Sequence, residues 1–358
     1  MISLLRICFL TLLFFSAAGQ ASDLPKLKGT FLIEHETFLL WYAKQQGWDK
    51  ELGFELELNI NERSGSDILL SHYNEADNWD VCGVGAVPAA LYSENLRLDV
   101  ICVANDESSS TDILVRNDSQ ILKEHGWNQD FPNAKGSPDT VRNKTFYLRK
   151  NTSSFYTFLC WLELLGLNLH EVEFVDMPPS DALVAMSENK ADGAVMWSPN
   201  TLEAMQLGYT VAAKAEDVGA FVPVVFIADR EYAQQHKDLI ARFVAMFMRA
   251  VRVQKKSLKT LVGPYQEFMH KYTGHEYSSE FCKYDLEMHP VYGYDSQLKA
   301  FTVAGNRTSP MLKLKNQILS KFTLISLELS EPKNYMTKAH DLVPTDEYLK
   351  LARQYLKE

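Results

Sequence analysis

Short apolar runs alternate with amphipathic ones along the chain from Gly29 onward. GTFLIE reads as a strand, TFLLWYAKQQG as a helix that Gly47 can close, and GFELELNI as a second strand, which together make a βαβ unit. Ser66 is then placed to cap a helix through DILLSHYN. WDVCGVG supplies a third strand, AVPAALYSENL another helix, RLDVICVAND a fourth strand, and DILVR a short strand directly after it. Residues 117–140 turn polar and read as an irregular connection. Beyond them KTFYLR predicts a strand, NTSSFYTFLCWLELLG a capped helix ended by Gly166, VEFVDM a strand, and SDALVAMSENK a helix started by Ser180. ADGAVMWSPNTLEAMQLG then begins as a strand, turns at Ser198-Pro199 and continues as a helix, with Trp197 at the join. FVPVVFIAD is a return strand, and everything after Asp229 reads as helical, with amphipathic runs at 232–261, 312–329 and 348–356. Strands alternating with helices imply mainly parallel sheets covered on both faces.

The chain opens with one positive charge at Arg6, an apolar run over residues 7–15 and small residues at Gly19 and Ala21, the pattern of a secretory signal peptide over residues 1–21. The run is far short of the roughly 20 residues that span a bilayer, so a soluble, exported protein is expected. The formal net charge of −10 becomes −11 without Arg6, and the basic residues form no stripe, which argues against nucleic acid as a partner. Cys82, Cys102, Cys160 and Cys282 are widely spaced with no Cys-x-x-Cys pair, so no metal site is expected from sulfur. Cys82 and Cys102 fall in apolar strands, where a thiol behaves as a small hydrophobe. There is no Walker-type loop, no G-x-S-x-G and no zinc-protease spacing around His270 and His275, so neither catalysis nor a cofactor is expected.

The order WDVCGVGAVPAAL, VRNKTFYLRKNTSSF, LELLGLNLHEVEFVDMPPSDALVAMSENKADGAVMWSPN resembles the nitrate/sulfonate/taurine-type family of periplasmic substrate-binding proteins of ABC importers. The resemblance covers most of the chain after the leader. It implies the two-lobed type II periplasmic-binding fold, each lobe a mainly parallel sheet flanked by helices, with a helical C-terminal part. The lobes would comprise residues 22–112 with 221–358, and 113–220, joined by crossings near 111–115 and 221–228. It further implies a small-molecule ligand in the interdomain cleft, delivered from the periplasm to an inner-membrane ABC permease by a monomer. The same fold serves the fungal pyrimidine-precursor synthases of thiamine biosynthesis and exported ligand sensors, but the synthases' dense cysteine motif has no counterpart here. At the first strand Glu34-His35-Glu36 replaces the small or amide residues usual in the family.

Trp197 has two readings. Ser198 and Pro199 could cap the following helix while Trp197 and Leu202 form a hydrophobic staple, or, as the resemblance implies, the indole faces the cleft. Thr152 and Ser153 open a helix where the dipole is positive, so they either cap it or receive an anionic group. Ser109 and Ser110 offer hydroxyl donors near the crossing or form a solvated turn, and Gly85 and Ala86 allow close backbone approach at a strand end. Glu34, His35 and Glu36 end the first strand, with Phe38 following, so Glu34 could meet an amino group on the ligand or serve as a loop charge or helix cap. With Glu34 opposite Thr152 and Ser153, a solute carrying both an amine and an acidic group is expected, such as an amino-sulfonate or a thiamine-precursor pyrimidine.

Overall fold

The computed structural model describes residues 24–76, 78–94, 96–303, 308–329, 333 and 340–356, so the predicted signal peptide lies outside the described residues. No described helix is long and apolar enough to cross a membrane. Eleven strands are described: β1 (Lys26–Leu32), β2 (Glu55–Asn61), β3 (Val81–Gly85), β4 (Leu98–Asp106), β5 (Thr111–Arg116), β6 (Thr145–Leu148), β7 (Glu173–Asp176), β8 (Gly193–Trp197), β9 (Tyr209–Lys214), β10 (Pro223–Asp229) and β11 (Leu342–Pro344). They form two sheets flanked by helices, in the orders β11-β4-β10-β3-β1-β2 and β7-β6-β8-β5-β9.

β1 lies parallel to both β2 and β3, and β6 lies parallel to both β7 and β8. The strands on either side of the passages between sheets break that pattern. β5 runs antiparallel to β8 and β9, and β10 antiparallel to β3 and β4. Residues 107–110 link β4 of the first sheet to β5 of the second and residues 215–222 link β9 back to β10, so the crossings come just before the expected 111–115 and 221–228, most of which are strand residues of β5 and β10. The polarity leaves the C-terminal ends of β1, β3 and β4 on one edge of the first sheet. That is the edge where α/β proteins place ligands.

Alternation along the strands assigns their faces. On β8, Ala194 and Met196 join a small cluster with Leu114, Tyr147 and Met186, while Val195 points into the large core. Gly193 starts this strand because a Cβ there would stand 2.3 Å from the Leu114 carbonyl oxygen and 3.0 Å from the Phe146 ring. In the first sheet the amphipathic helix Lys237–Ser257 lays Phe243 and Phe247 edge-on against Phe226 of β10. Each such fully buried ring stabilises the fold by roughly 1.5–3 kcal/mol. Gly47 and Gly166 both take the left-handed conformation that follows a helix end, as their positions predict.

Several local expectations need correction, among them the start of the helix assigned to Ser180, which begins at Pro179 with Pro178 at its N-cap position. The helix Gly65–Tyr73 is capped by Ser64, not Ser66, because Asp67 three residues on completes a capping box: the Asp67 N–H donates to Ser64 Oγ and the Ser64 N–H to Asp67 Oδ2, each at 3.2 Å. The chain after Asp229 is not wholly helical, since β11 pairs in parallel with β4, Leu342 opposite Leu98. A three-residue edge strand ending in proline carries too little alternation to read from sequence. Strand β9 was likewise not anticipated. The helices Val262–Thr273, Ser279–Met288 and Tyr294–Phe301 extend the C-terminal helical part beyond the three amphipathic runs. All four described cysteines are buried free thiols.

Candidate functional site

β1 ends at Leu32, and Glu34 occupies the N-cap position of the helix His35–Gln45 without capping it through its side chain. Its carboxyl instead receives a hydrogen bond from Trp197, which stands at the end of β8 in the other sheet. The tryptophan is 7 % exposed yet belongs to neither apolar cluster. Its indole therefore bridges the sheets at the cleft. The staple-and-cap alternative is corrected at its cap: the helix Asn200–Gln206 has Pro199 at its N-cap position with no side-chain cap bond, and Ser198 Oγ donates to Asp285 instead.

Two spaces share Leu32, Glu34 and Trp197 in their linings. The outer cavity, about 590 Å³, has Leu32, Glu34, Arg63 and Asp67 on the first-sheet side and Pro178, Leu183, Trp197 and Glu203 on the other. An inner chamber of about 20 Å³ is lined by Glu34, Gly85, Glu107, Thr152, Ser153 and Trp197, with Leu32, Gly65 and Pro88. Arg149 pairs at 2.5 Å with Asp67, which lines the outer cavity, and at 3.3 Å with Asp176.

Of the ten residues singled out from sequence, the chamber collects Glu34, Gly85, Thr152, Ser153 and Trp197. The other five lie outside both spaces. His35 turns inward, its Nε2 2.8 Å from Gln254 and its ring stacked on His289. Phe38, one turn further, is fully buried against Tyr265 and Phe268. Ser110 bonds His289 at 3.1 Å, Ser109 is half-buried in the same turn, and Ala86 lines a narrow apolar crevice with Met311 and Leu314. Glu107 was missed, although a charge directly after the apolar run of β4 marks a strand end on the ligand-bearing edge.

The chamber has opposite electrical ends. Thr152 caps the helix Ser153–Leu165 without a side-chain cap bond, because its hydroxyl donates to the Arg149 carbonyl at 2.7 Å. The first-turn N–H groups of this helix thus present a positive field. Glu34 and Glu107 line the same chamber, and with Glu36 they bring carboxyl oxygens within 4.8 Å of one another. Burial, then the charges of Glu107 and Glu36, hold the Glu34 carboxyl well above the usual range. Glu107 is raised by burial and then by Glu36, Asp285 and Asp106, and Glu36 is pushed up to about 7 by burial, with only Thr37, 3.3 Å away, and a backbone contact opposing it. The cluster favours protonated carboxyls until a cation arrives. Three oxygen donors also match part of the ligand set of a hard divalent ion.

Two α/β layers meeting at strand ends over a cavity define the periplasmic-binding-protein fold. The fold is shared with the Escherichia coli aliphatic sulphonate binding protein SsuA (TM-score 0.67, 16 % identity, 90 % of this chain and 99 % of that one) and the Synechocystis nitrate-binding protein NrtA (TM-score 0.66, 12 % identity, 94 % and 90 %). The chain belongs to the NMT1-like family, whose model matches residues 26–260. Its sequence is also similar to a Brachyspira hyodysenteriae protein named as an ABC transporter periplasmic binding protein, 25 % identical over 279 residues (77 % of each chain). A Bacillus subtilis protein named for binding aliphatic sulfonates is 25 % identical over 263 residues, or 70 % of this chain and 73 % of that one.

Proposed function

We propose that this chain is an exported solute-binding protein that captures a small organic solute bearing an amine and an acidic group and hands it to an ABC permease of the inner membrane. The lobes follow the two sheets, residues 22–110 with 221–358 in one and 111–220 in the other, since Thr111 and Asp112, expected in the first lobe, pair with β8 of the second sheet, and they close over the solute as a monomer in the periplasm. Binding energy drives such closure. The observation that carries the reading is the chamber itself, where Glu34 from one sheet faces the helix N-terminus at Thr152 and Ser153 from the other, with Trp197 between them. An amine suits the carboxyl end, and the positive field of the helix N-terminus favours the acid carried by the same solute. A plain anion leaves the three carboxyls protonated and gains no charge pairing there, whereas an ammonium group pairs with them as they ionise. The N-terminal apolar run and the kinship with periplasmic binding proteins support export and transport over synthesis. A pyrimidine synthase needs reactive machinery, whereas the four described cysteines are buried, with the Cys102 thiol pushed up by burial.

Calorimetry tests the reading with taurine, ethanesulfonate, nitrate and an aminopyrimidine on wild type and Glu34→Gln. Amine-bearing compounds are expected to bind more tightly than ethanesulfonate or nitrate, and Glu34→Gln to erase that preference. A wild type that prefers the amine-free anions removes the reading.

A further inference from the structure

Glu36 and Glu107 play no part in the pairing of Glu34 with an amine, yet both are sealed from solvent beside it. Glu107 lines the inner chamber at 2 % exposure and its Oε1 has no hydrogen-bond partner among the described residues. Glu36 is fully buried and leaves Oε2 in the same condition. A buried acceptor without a donor is destabilising, and native structures rarely tolerate one unless something else fills the role. The groups acting on these carboxyls do not supply it. Glu34 has Trp197 and Glu36 has Thr37, while the charges felt by Glu34 and Glu107 come from other acids, not from a lysine or arginine.

We propose that Glu34, Glu36 and Glu107 together form one seat for a compact primary alkylammonium group of the solute. The inference rests on the solute-binding reading above and narrows its substrate class. Two features fit it. One oxygen from each of the three carboxyls lies within 4.8 Å of the others, so a single atom placed among them can sit no more than about 2.8 Å from each, within reach of charge-assisted N–H···O bonds. A primary ammonium at that point offers three N–H donors, one for each residue. The chamber, about 20 Å³, is lined by Glu34 and Glu107 but not by the fully buried Glu36, and admits a group the size of one water. A guanidinium or a quaternary ammonium is too large for it, and an amino group on an aromatic ring brings only two N–H donors. The remainder of the solute lies in the outer cavity, about 590 Å³, beside Trp197.

The test is calorimetry on the full protein with taurine, 3-aminopropanesulfonate and β-alanine, each compared with its guanidino and N,N,N-trimethyl counterparts, and with Ca²⁺ and Mg²⁺ alone. At least one primary amine is expected to bind, and its two bulkier counterparts to bind at least tenfold more weakly. Glu107→Gln and Glu36→Gln, checked for folding by circular dichroism, are each expected to lower the primary-amine affinity by tenfold or more. The same variants should leave ethanesulfonate binding equal or tighter, which a merely misfolded cleft would not do. If a guanidino or trimethyl counterpart binds as tightly as its amine, or if both variants keep the amine preference, the seat is wrong while the solute-binding reading stands. Tight binding of Ca²⁺ or Mg²⁺ that blocks the amines also overturns it, in favour of a metal site. If no amine binds, the seat falls; if the amine-free anions bind instead, the reading beneath it falls as well.

Discussion

Replacing Glu36 with glutamine removes one of three buried carboxyls and nearly preserves its shape. In the wild type this carboxyl stands at about 7 against an ordinary 4.5, chiefly because burial disfavours its charge. A carboxyl held above its unfolded value binds its proton more tightly in the native chain, so native stability falls as the pH rises from about 4.5 to about 7. A displacement of about 2.5 units at 1.36 kcal/mol each makes that loss about 3 kcal/mol from this group. Asp112, pushed up by burial to about 7, adds a slope of its own, but it is present in both proteins and cancels in the comparison. The Glu36 charge also helps to raise Glu34 and Glu107, so removing it eases both and acts in the same direction. Urea unfolding of the solute-free proteins at pH 4.5 and pH 8 measures the difference. Glu36→Gln is expected to gain about 3 kcal/mol on the wild type between the two pH values. A stability difference between the proteins that stays constant within about 0.5 kcal/mol across that range refutes the argument that burial governs this carboxyl.

Two further outcomes follow from the same geometry. Trp197→Ala should lose roughly 1–3 kcal/mol of affinity for an amine-bearing solute, the scale of aromatic stacking contacts; a variant that melts far earlier yet binds unchanged would assign the ring to structure. Gly193→Ala should destabilise by about 1–3 kcal/mol in urea unfolding, the usual range for overpacking, since its Cβ would meet the Leu114 carbonyl oxygen at 2.3 Å, and wild-type stability in that variant would show that β5 and β8 can part without penalty.

Much of the architecture is written in local patterns. Apolar runs bounded by Gly47 and Gly166 determined the helix ends, and the order of strands and helices determined two α/β layers, because periodicity and left-handed glycines act within a few residues. The place of Trp197 at a strand end was legible for the same reason. Its partner was not, for Glu34 lies over a hundred and sixty residues away and only the meeting of two sheets brings the indole N–H to that carboxyl. Tertiary packing also separated neighbours that look alike in sequence. Glu34 faces the chamber, while His35 and Phe38 turn into the core, because the helix beginning at His35 rotates successive side chains by about 100° and the position of its axis over the sheet decides which of them reach the cleft. The convergence of Glu34, Glu36 and Glu107 depends on β1 and β4 ending on one edge of a sheet in which β10 and β3 lie between them. Strand order is a long-range outcome, and local propensity carries no record of it.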